Sequence, residues 1–428
     1  MNYTESIDYI HSTLRFGSRL GLERMREFLK RLSDPQERLR FVHVAGTNGK
    51  GSTTAMITSI LMAAGYKTGM YISPYVEEFR ERIQINREMI PEDELAVRMT
   101  RIKAVIDGMI GDGISSPSEF EIITALALDF FADMGCDAAV LEVGLGGRLD
   151  ATNIIERPEV SVICPISFDH MQYLGDTIAK IAFEKCGIIK KRCPVVSSYG
   201  QFSDAATVIR DVCLERNSKL YLPESSKLQG VLSDVFGCSF KYDGLDIRVN
   251  MGGRHQIQNS LTAITAARLL SENGWNITDS DIEEGIAATR FGGRLEVVTS
   301  SPLTIIDGAH NPDGINKLCG YIDNMLHGRK VIVVMGMLAD KDCITCFPKI
   351  ARRAAYMVTT RPDSPRALAS ETAAAYVKGI CPCVSEPDVK KAVAIAVLRA
   401  RPDDVIIACG SLYMIGEAKT ALLENLSS

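Results

Sequence analysis

The sequence lacks several features that mark common classes of protein. Its 428 residues carry 48 Lys and Arg against 53 Asp and Glu, so a net charge of −5 gives no support to nucleic acid or a membrane surface held by bulk electrostatics. No long uncharged apolar span is present, and the N-terminal segment has no basic stretch before an apolar core. We therefore expect a cytoplasmic protein that binds small molecules and neither nucleic acid nor membrane.

A disulfide framework is also missing. The 12 cysteines are scattered along a long chain, and several lie in apolar runs, as Cys164 and Cys409 do, so we expect reduced core thiols. The pairs Cys343 with Cys346 and Cys381 with Cys383 have spacings that zinc sites use. Neither pair has a histidine nearby, which leaves zinc as a minor alternative.

What is present is a phosphate-loop pattern at residues 41–54, FVHVAGTNGKGSTT. Glycines turn sharply and leave backbone N–H groups uncovered, and these, a helix N-terminus and Lys50 would face a polyphosphate. The spacing is a variant of GxxxxGK[ST], because Gly51 separates Lys50 from the hydroxyls that would reach a metal ion. The alternative is an ordinary glycine-rich turn. The predicted nucleotide-binding residues are Gly46, Thr47, Asn48, Gly49, Lys50, Gly51, Ser52 and Thr53.

Apolar runs of strand length alternate with helical patterns along the chain. This rhythm predicts an α/β fold with a mostly parallel sheet and helices on both faces. We predict a P-loop-type domain over residues 1–296 and a smaller Rossmann-like α/β domain over residues 297–428. Further predictions are helices within residues 3–32, a loop at 108–116 and a small β insertion over 220–249. The predicted strands are residues 41–45, 67–72, 138–143, 160–164, 195–197, 303–306, 331–335, 357–359 and 405–408.

Several polar residues follow these strands, where open α/β sheets bind ligands. Glu142 interrupts the apolar run AAVLEVGLGG, and a buried carboxylate needs a cation, for which Mg²⁺ is the natural candidate. Pairing with Lys50 or Arg148 is the alternative. Ser73 can add a hydroxyl ligand. His170 follows a strand beside Asp169, and the residues alone leave a metal-binding and a structural role equally open.

Three further positions could carry chemistry. Lys185 lies in an apolar helix, where a buried amine loses its proton and can form a carbamate with CO₂, although a lysine that reaches solvent is the favoured alternative. Asp307 ends a predicted strand and suits ribose hydroxyls, His310 can approach phosphate or metal, and Arg294 can reach phosphate. For each of these a turn or a cap is the alternative.

Taken together, the motifs resemble the folylpolyglutamate synthase and dihydrofolate synthase branch of the Mur ligase family. They appear in the family's order and cover most of the chain. The matching segments are HVAGTNGKGST, ISPYVEEFRERI, FEIITALAL, VLEVGLGGRLDATN, ISFDHMQYLGDTIAKIAFEKCGIIK, HQIQNSLTA, GGRLEVV, IDGAHNP, VMGMLADKD and ACGSLY.

The resemblance implies an ATP-dependent ligase that joins glutamate to a folate or pteroate carboxylate through an acyl phosphate, with two Mg²⁺ ions. We also expect a monomer. The resemblance implies catalytic roles for Lys50, His170 and Lys185, the last carbamylated. The implied metal ligands are Ser52, Ser73, Glu142, His170 and Lys185, and the implied nucleotide contacts outside the phosphate loop are Asn259, Arg294, Asp307 and His310.

This sequence departs from the family's pattern in two places. Tyr75 stands where the family usually has histidine, and Gly292 where it has proline. Two rival functions remain, namely a Mur-type ligase acting on a UDP-sugar peptide and a nucleotide-binding protein without ligase chemistry.

Overall fold

The computed structural model describes residues 1–13 and 21–426 and contains two α/β domains, each built on one twisted sheet. The N-terminal domain carries an eight-stranded sheet of order β4-β3-β2-β5-β1-β6-β7-β8, and only β3 and β4 run antiparallel to their neighbours. This confirms the predicted mostly parallel sheet. Its strands are β1 (Phe41–Ala45), β2 (Thr68–Tyr71), β3 (Ile83–Ile85), β4 (Glu88–Met89), β5 (Ala138–Glu142), β6 (Val160–Ile163), β7 (Val195–Ser197) and β8 (Leu220–Tyr221).

Strand β1 organises this sheet because it lies between β5 and β6, parallel to both. Val44 pairs with Glu142, and Ala45 pairs with Ile163. The phosphate loop, the end of β5 and the residues after β6 therefore leave the sheet at the same carboxyl edge. Along β1, Val42 and Val44 enter one core and Phe41 enters the core on the opposite face, which is the alternation expected of a strand.

Helices cover both faces of the large sheet. One face packs on α3, α9 and α10, and the other on α1, α2, α4 and α5. The helices of this domain are α1 (Tyr3–Ser12), α2 (Glu23–Arg31), α3 (Lys50–Ala63), α4 (Glu92–Gly111), α5 (Glu119–Asp133), α6 (Met171–Leu174), α7 (Ile178–Cys186), α8 (Ser203–Glu215), α9 (His255–Glu272) and α10 (Asp279–Ala288). A separate antiparallel sheet consists of β9 (Leu228–Ser233), β10 (Cys238–Tyr242) and β11 (Leu245–Val249).

The C-terminal domain has a six-stranded sheet of order β12-β13-β17-β14-β15-β16, in which only β12 is antiparallel. Its strands are β12 (Glu296–Ser300), β13 (Leu303–Asp307), β14 (Val331–Met335), β15 (Tyr356–Thr359), β16 (Cys383–Ser385) and β17 (Val405–Cys409). Its helices are α11 (Pro312–Met325), α12 (Cys343–Ala351), α13 (Ser370–Val377), α14 (Val389–Arg399) and α15 (Leu412–Leu426). The predicted domain boundary after residue 296 stays a prediction.

The structure corrects several local predictions. The loop predicted at 108–116 is wrong for residues 108–111, which form the last turn of α4, because Ile106 and Met109 pack into the core and hold the glycines in the helix. The predicted insertion begins too early, since β8 pairs with β7 in the large sheet. Strands β3, β4, β12 and β16 were not predicted. Of the helical prediction for 3–32, residues 14–20 lie outside the described residues.

The sequence predicts no membrane-spanning segment and leaves zinc as a minor alternative, and the structure bears on both points. Within residues 1–13 and 21–426, no helix is long and apolar enough to cross a bilayer. Over the same ranges, no group of three or more His, Cys, Asp or Glu side chains is arranged to hold a metal. All 12 cysteines are free thiols, and only Cys381 and Cys383 are not fully buried.

The two domains meet closely beside the segment that follows Ser73. Gly416 of α15 lies so near the Val76 carbonyl that a β-carbon at Gly416 would collide with it. Lys419, one turn further along α15, bridges Glu77 at 2.6 Å and Glu296 at 2.9 Å. The contacts with Val76 and Glu77 join the two domains, whereas the Glu296 contact attaches α15 to β12 of its own domain.

Candidate active site

The carboxyl edges of both sheets face one cleft of about 350 Å³. The cleft collects the predicted residues from both domains, with the exception of Thr53. The lining residues that were predicted from the sequence are Gly46, Thr47, Asn48, Gly49, Lys50, Gly51, Ser52, Ser73, Glu142, His170, Lys185, Asn259, Arg294, Asp307 and His310.

The phosphate loop is held in shape by α9. Gly49 has φ +83°, and a β-carbon there would collide with the Asn259 amide oxygen, so only glycine fits. Asn259 is fixed in turn by Gln256, to whose Oε1 it donates at 2.9 Å, and Gln256 Nε2 donates to Ser52 Oγ at 3.4 Å. The shape of the loop therefore depends on its contacts with α9.

Of the two hydroxyls predicted to reach a metal ion, only Ser52 lines the cleft. Thr53 is fully buried, and its Oγ1 accepts a hydrogen bond from the Cys164 thiol at 3.4 Å. The Thr53 hydroxyl lies outside the cleft because residues 52 and 53 of a helix point about 100° apart, and its contact with the nucleotide stays a prediction.

Glu142 is an acidic residue of the cleft that lies beside Lys50 of the phosphate loop. Its side chain is buried, Oε1 lies 3.7 Å from Lys50 Nζ, and Oε2 accepts a hydrogen bond from the Ser73 N–H at 3.2 Å. Burial raises the pKa of Glu142, and Lys50 and the Ser73 N–H oppose that shift. Of the two alternative partners, Lys50 is observed, whereas Arg148 pairs with Glu184 at 3.0 Å.

Lys185 points into the protein. Its side chain is 5% exposed, and Nζ donates to the Gly46 carbonyl of the phosphate loop at 2.7 Å. Burial, followed by the charge of Lys50, lowers the pKa of Lys185 to about 7. The alternative of a lysine that reaches solvent is therefore wrong. A substantial fraction of this amine is neutral near pH 7, which is the form that reacts with CO₂.

Asp169 joins the two domains at the far side of the cleft. Its Oδ1 lies 2.6 Å from Lys341 Nζ, and its Oδ2 lies 3.5 Å from His310 Nε2. Burial alone would raise the pKa of Asp169, but His310, Lys341 and His170 hold it well below its usual range. Burial lowers the pKa of His170 to about 4, so its imidazole is neutral at pH 7 and offers a lone pair.

The start of helix α11 reaches the phosphate loop. Asn48 Nδ2 donates to Asp313 Oδ2 at 2.6 Å, and Asn311 Nδ2 donates to Asn48 Oδ1 and to Asp169 Oδ2, each at 3.1 Å. Asn311 also caps α11 by accepting from the Gly314 N–H at 2.8 Å. Helix α11 of the C-terminal domain therefore lies against the phosphate loop of the N-terminal domain.

Arg294 and Asp307 lie where the interdomain linker enters the cleft. Arg294 Nη1 donates to the Gly293 carbonyl at 3.0 Å, and the guanidinium lies 5.5 Å from the centre of the Phe291 ring. The Asp307 carboxylate accepts hydrogen bonds from the Leu295 N–H at 2.9 Å and the Ala309 N–H at 3.0 Å. Burial raises the pKa of Asp307, and Arg294 opposes that shift.

Sequence reasoning missed several residues of the cleft. Lys341 follows the carboxyl end of β14. Because open α/β sheets bind ligands at that end of their strands, its position in the sequence could have identified it. Asn311 stands before the proline that begins α11, so its local pattern indicates only a helix cap. Arg82 gave no signal, because it lies in a charged segment that resembles an exposed one.

Models of known families match most of the chain. The Mur ligase middle domain matches residues 44–267, and the glutamate ligase domain of Mur ligases matches residues 293–412. With a phosphate loop facing a second domain across a cleft, these matches define an ATP-dependent, amide-forming ligase.

Similar proteins show to which branch of the Mur ligase family the chain belongs. Folylpolyglutamate synthase of Lacticaseibacillus casei is 35% identical over 100% of both chains, and dihydrofolate synthase/folylpolyglutamate synthase of Bacillus subtilis is 34% identical over 98% of this chain and 99% of that one. The solved structure of Mycobacterium tuberculosis folylpolyglutamate synthase complexed with ADP and AMPPCP has 29% identity, a TM-score of 0.88, and coverage of 98% and 99%. The chain belongs to the folylpolyglutamate synthase and dihydrofolate synthase branch of the Mur ligase family.

Proposed function

We propose that this protein uses ATP to add L-glutamate to folate, and also to dihydropteroate, through an acyl phosphate. The observation that carries the proposal is that the phosphate loop and the C-terminal residues His310 and Lys341 line the same cleft. A ligase must bring an activated acid and an amine together, and two domains facing one cleft provide for that. An Escherichia coli structure of 28% identity and TM-score 0.86, covering 100% of this chain and 99% of that one, was solved with DHPP and ADP.

The first step activates the acid. A carboxylate does not form an amide at neutral pH because oxide would have to leave, so its oxygen first attacks the γ-phosphorus of ATP and ADP departs. Lys50, at the start of α3, would stabilise the negative charge that develops on the transferred phosphoryl group. The predicted nucleotide contacts of Asn259, Arg294, Asp307 and His310 would hold ATP from both domains.

The second step forms the amide. The glutamate amine attacks the acyl carbon, and the tetrahedral intermediate collapses as inorganic phosphate leaves and the amine gives up a proton. Contacts such as that of Asn48 with Asp313 bring the domains together over the reacting groups. Closure of this kind excludes water, which would otherwise hydrolyse the acyl phosphate.

The donor groups suit Mg²⁺ at two places. Ser52, Ser73 and Glu142 would hold one ion beside the phosphates, and the fit rests on a buried carboxylate whose ammonium partner is as far as 3.7 Å away. His170 and a carbamylated Lys185 would hold the second ion. The His170 imidazole is neutral and offers a lone pair, and Lys185 gains an anionic oxygen when its amine adds CO₂ and releases a proton. Bound Mg²⁺ would neutralise phosphate charge.

The test is ADP release with substrate pairs. Purified protein should release ADP only when L-glutamate is supplied with tetrahydrofolate or dihydropteroate, and the product should gain the mass of one glutamate residue. Release that needs a UDP-sugar peptide instead would favour the first rival, and no release with any pair would favour the nucleotide-binding rival. Release without either substrate would also contradict the proposal.

We further propose that the protein acts as a monomer in the cytoplasm, on small molecules and without nucleic acid or membrane. Support comes from the cleft, whose two walls belong to one chain. Light scattering of the purified protein in the presence of ATP tests the oligomeric state.

A further inference from the structure

Arg82 lies on the wall of the cleft and has no assigned role. It ends the short helix Phe79–Arg82, immediately before β3, and is 8% exposed. Its guanidinium carbon lies 5.3 Å from the centre of the Tyr75 ring and 5.6 Å from that of Phe79. Aromatic faces attract a cation, but they do not supply the hydrogen-bond acceptors that a buried guanidinium needs.

The positive charge of Arg82 has no acidic partner. Within the described ranges, no carboxylate lies within ion-pair distance of its guanidinium, Nε has no hydrogen-bond acceptor, and Nη1 has only a long bond of 3.5 Å to Ser73 Oγ. Arg98, which is equally buried, shows the usual arrangement, with Asp129 at 2.7 Å and Asp133 at 2.9 Å. Burying an unpaired cation is costly, so a bound anion would stabilise the site at Arg82.

The acidic side chain of Glu119 does not pair with Arg82 within ion-pair distance. Glu119 also lines the cleft, and burial raises its pKa, with Arg82 opposing the shift. Its closest ion-pair partner is His11, at 4.0 Å. The guanidinium is therefore available to a ligand that enters from the cleft.

A series of contacts connects Arg82 to the phosphate loop. Arg82 contacts Ser73, the Ser73 N–H donates to Glu142 at 3.2 Å, and Glu142 lies 3.7 Å from Lys50. Ser73 and Glu142 thus connect Arg82 to Lys50, and both cations line the same cleft. Phe120 and Ile123 line the same cleft and offer apolar surface against which an aromatic group attached to an anion on Arg82 would pack.

The geometry points to Arg82 as the residue that binds the carboxylate of the acid substrate and holds it beside the γ-phosphate of ATP. This inference rests on the proposed function and adds a binding residue to it. One carboxylate oxygen would accept hydrogen bonds from the guanidinium, and the other would be free to attack phosphorus. In the first step the substrate carboxylate must approach the γ-phosphate, and both are anions. Arg82 beside the carboxylate and Lys50 beside the phosphate would lower the repulsion between them.

A substrate analogue isolates the proposed contact. Binding of dihydropteroate and of its carboxamide, which lacks the negative charge, is measured by titration calorimetry without ATP. The natural protein should prefer the acid by roughly 10- to 100-fold, the usual range for a hydrogen bond to a charged group. Arg82→Gln should bind both compounds with nearly equal affinity.

Arg80→Gln is the matched control, because Arg80 lies on the same short helix and its guanidinium pairs with Glu78 outside the cleft. It should keep the full preference for the acid. If Arg82→Gln does not melt cooperatively, Arg82→Lys replaces it, and the preference should fall by about 3- to 10-fold because the ammonium lacks the planar fork.

The inference is overturned if a folded Arg82 variant keeps the preference of the natural protein. Glutamate-dependent ADP release by the natural protein is measured in parallel. Its absence would contradict the proposed function, whereas release together with an undiminished acid preference in the variants would contradict the role of Arg82 alone.

Discussion

The ammonium of Lys341 in the C-terminal domain lies 2.6 Å from the carboxylate of Asp169 in the N-terminal domain. Each side chain is 9% exposed, so the pair is shielded from water and spans the cleft. His170 joins it, with Nε2 3.3 Å from Lys341 Nζ. The ion pair that joins the two domains therefore contacts His170, which is a predicted catalytic residue.

The first prediction is strong energetic coupling between Asp169 and Lys341. In a double-mutant cycle with Asp169→Asn and Lys341→Met, we expect a coupling energy of about 1–3 kcal/mol, because each single change leaves a buried charge unpaired. The measurement is the free energy of unfolding in urea. Asp176 and Lys180 form a control pair at 2.8 Å on the exposed surface, where we expect less than about 0.5 kcal/mol. Equal coupling in the two pairs would contradict the prediction.

The second prediction concerns the carbamate on Lys185. Protein equilibrated with ¹³C-bicarbonate at pH 8 should show a carbamate carbonyl signal by NMR, and the signal should weaken as the pH falls below about 7, where the amine becomes protonated. Lys185→Arg should abolish the signal. Lys190→Arg is the control, because burial lowers the pKa of Lys190 only to about 8 and its Nζ is held by the Asn153 carbonyl at 3.1 Å. A signal that persists in Lys185→Arg would assign the carbamate elsewhere.

The third prediction concerns stability in mild acid. His43 is fully buried, Nε2 lies 2.8 Å from Thr152 Oγ1, and burial, then Lys190, lowers the pKa of His43 to about 3. Below pH of about 6.5 the unfolded chain binds a proton here and the folded chain does not, so stability falls as the pH drops toward 3.

His43→Gln should reduce the pH dependence of the unfolding free energy over this range by up to about 1.4 kcal/mol per pH unit, as expected for one proton. Denaturant titrations between pH 4 and pH 7 measure it, with the exposed His327→Gln as control. An unchanged dependence in His43→Gln would show that the folded protein protonates this imidazole.

The fourth prediction tests the close contact between the domains. Gly416→Ala should lower ligase activity and weaken domain docking, because its β-carbon would collide with the Val76 carbonyl and displace α15. Gly320→Ala in α11 meets nothing within 4 Å and should stabilise the protein by up to about 1 kcal/mol. Small-angle scattering and the assay of ADP release compare the two variants, and normal activity in Gly416→Ala would contradict the prediction.

The fifth prediction addresses the phosphate loop. Lys50→Ala should reduce the turnover number by roughly 100-fold or more, because a positive charge that stabilises the transferred phosphoryl group is lost. Lys103→Ala, which removes a surface lysine paired with Asp107 at 2.5 Å, is the control and should act as the natural protein does. Undiminished amide synthesis by Lys50→Ala would exclude this lysine from the reaction.

The sequence by itself determined the features that depend on local patterns. Buried parallel strands such as β5 and β14 are continuous apolar runs, and the phosphate loop is a local run of glycines with one lysine, so both are visible without a structure. The same holds for Glu142, since a carboxylate inside an apolar strand stands out. Strands β3, β4 and β16 have only two or three residues, and β12 is a partly exposed edge strand, so no long apolar run marks any of them.

Only the tertiary structure decided which polar groups meet. Asp169 and Lys341 are 172 positions apart, and no local pattern relates a carboxylate in one domain to an ammonium in the other. The inward direction of Lys185 and the missing partner of Arg82 likewise depend on how helices and domains pack. Hydrophobic periodicity is a short-range property of the chain, whereas the charges of the cleft are set by sheet order and domain closure.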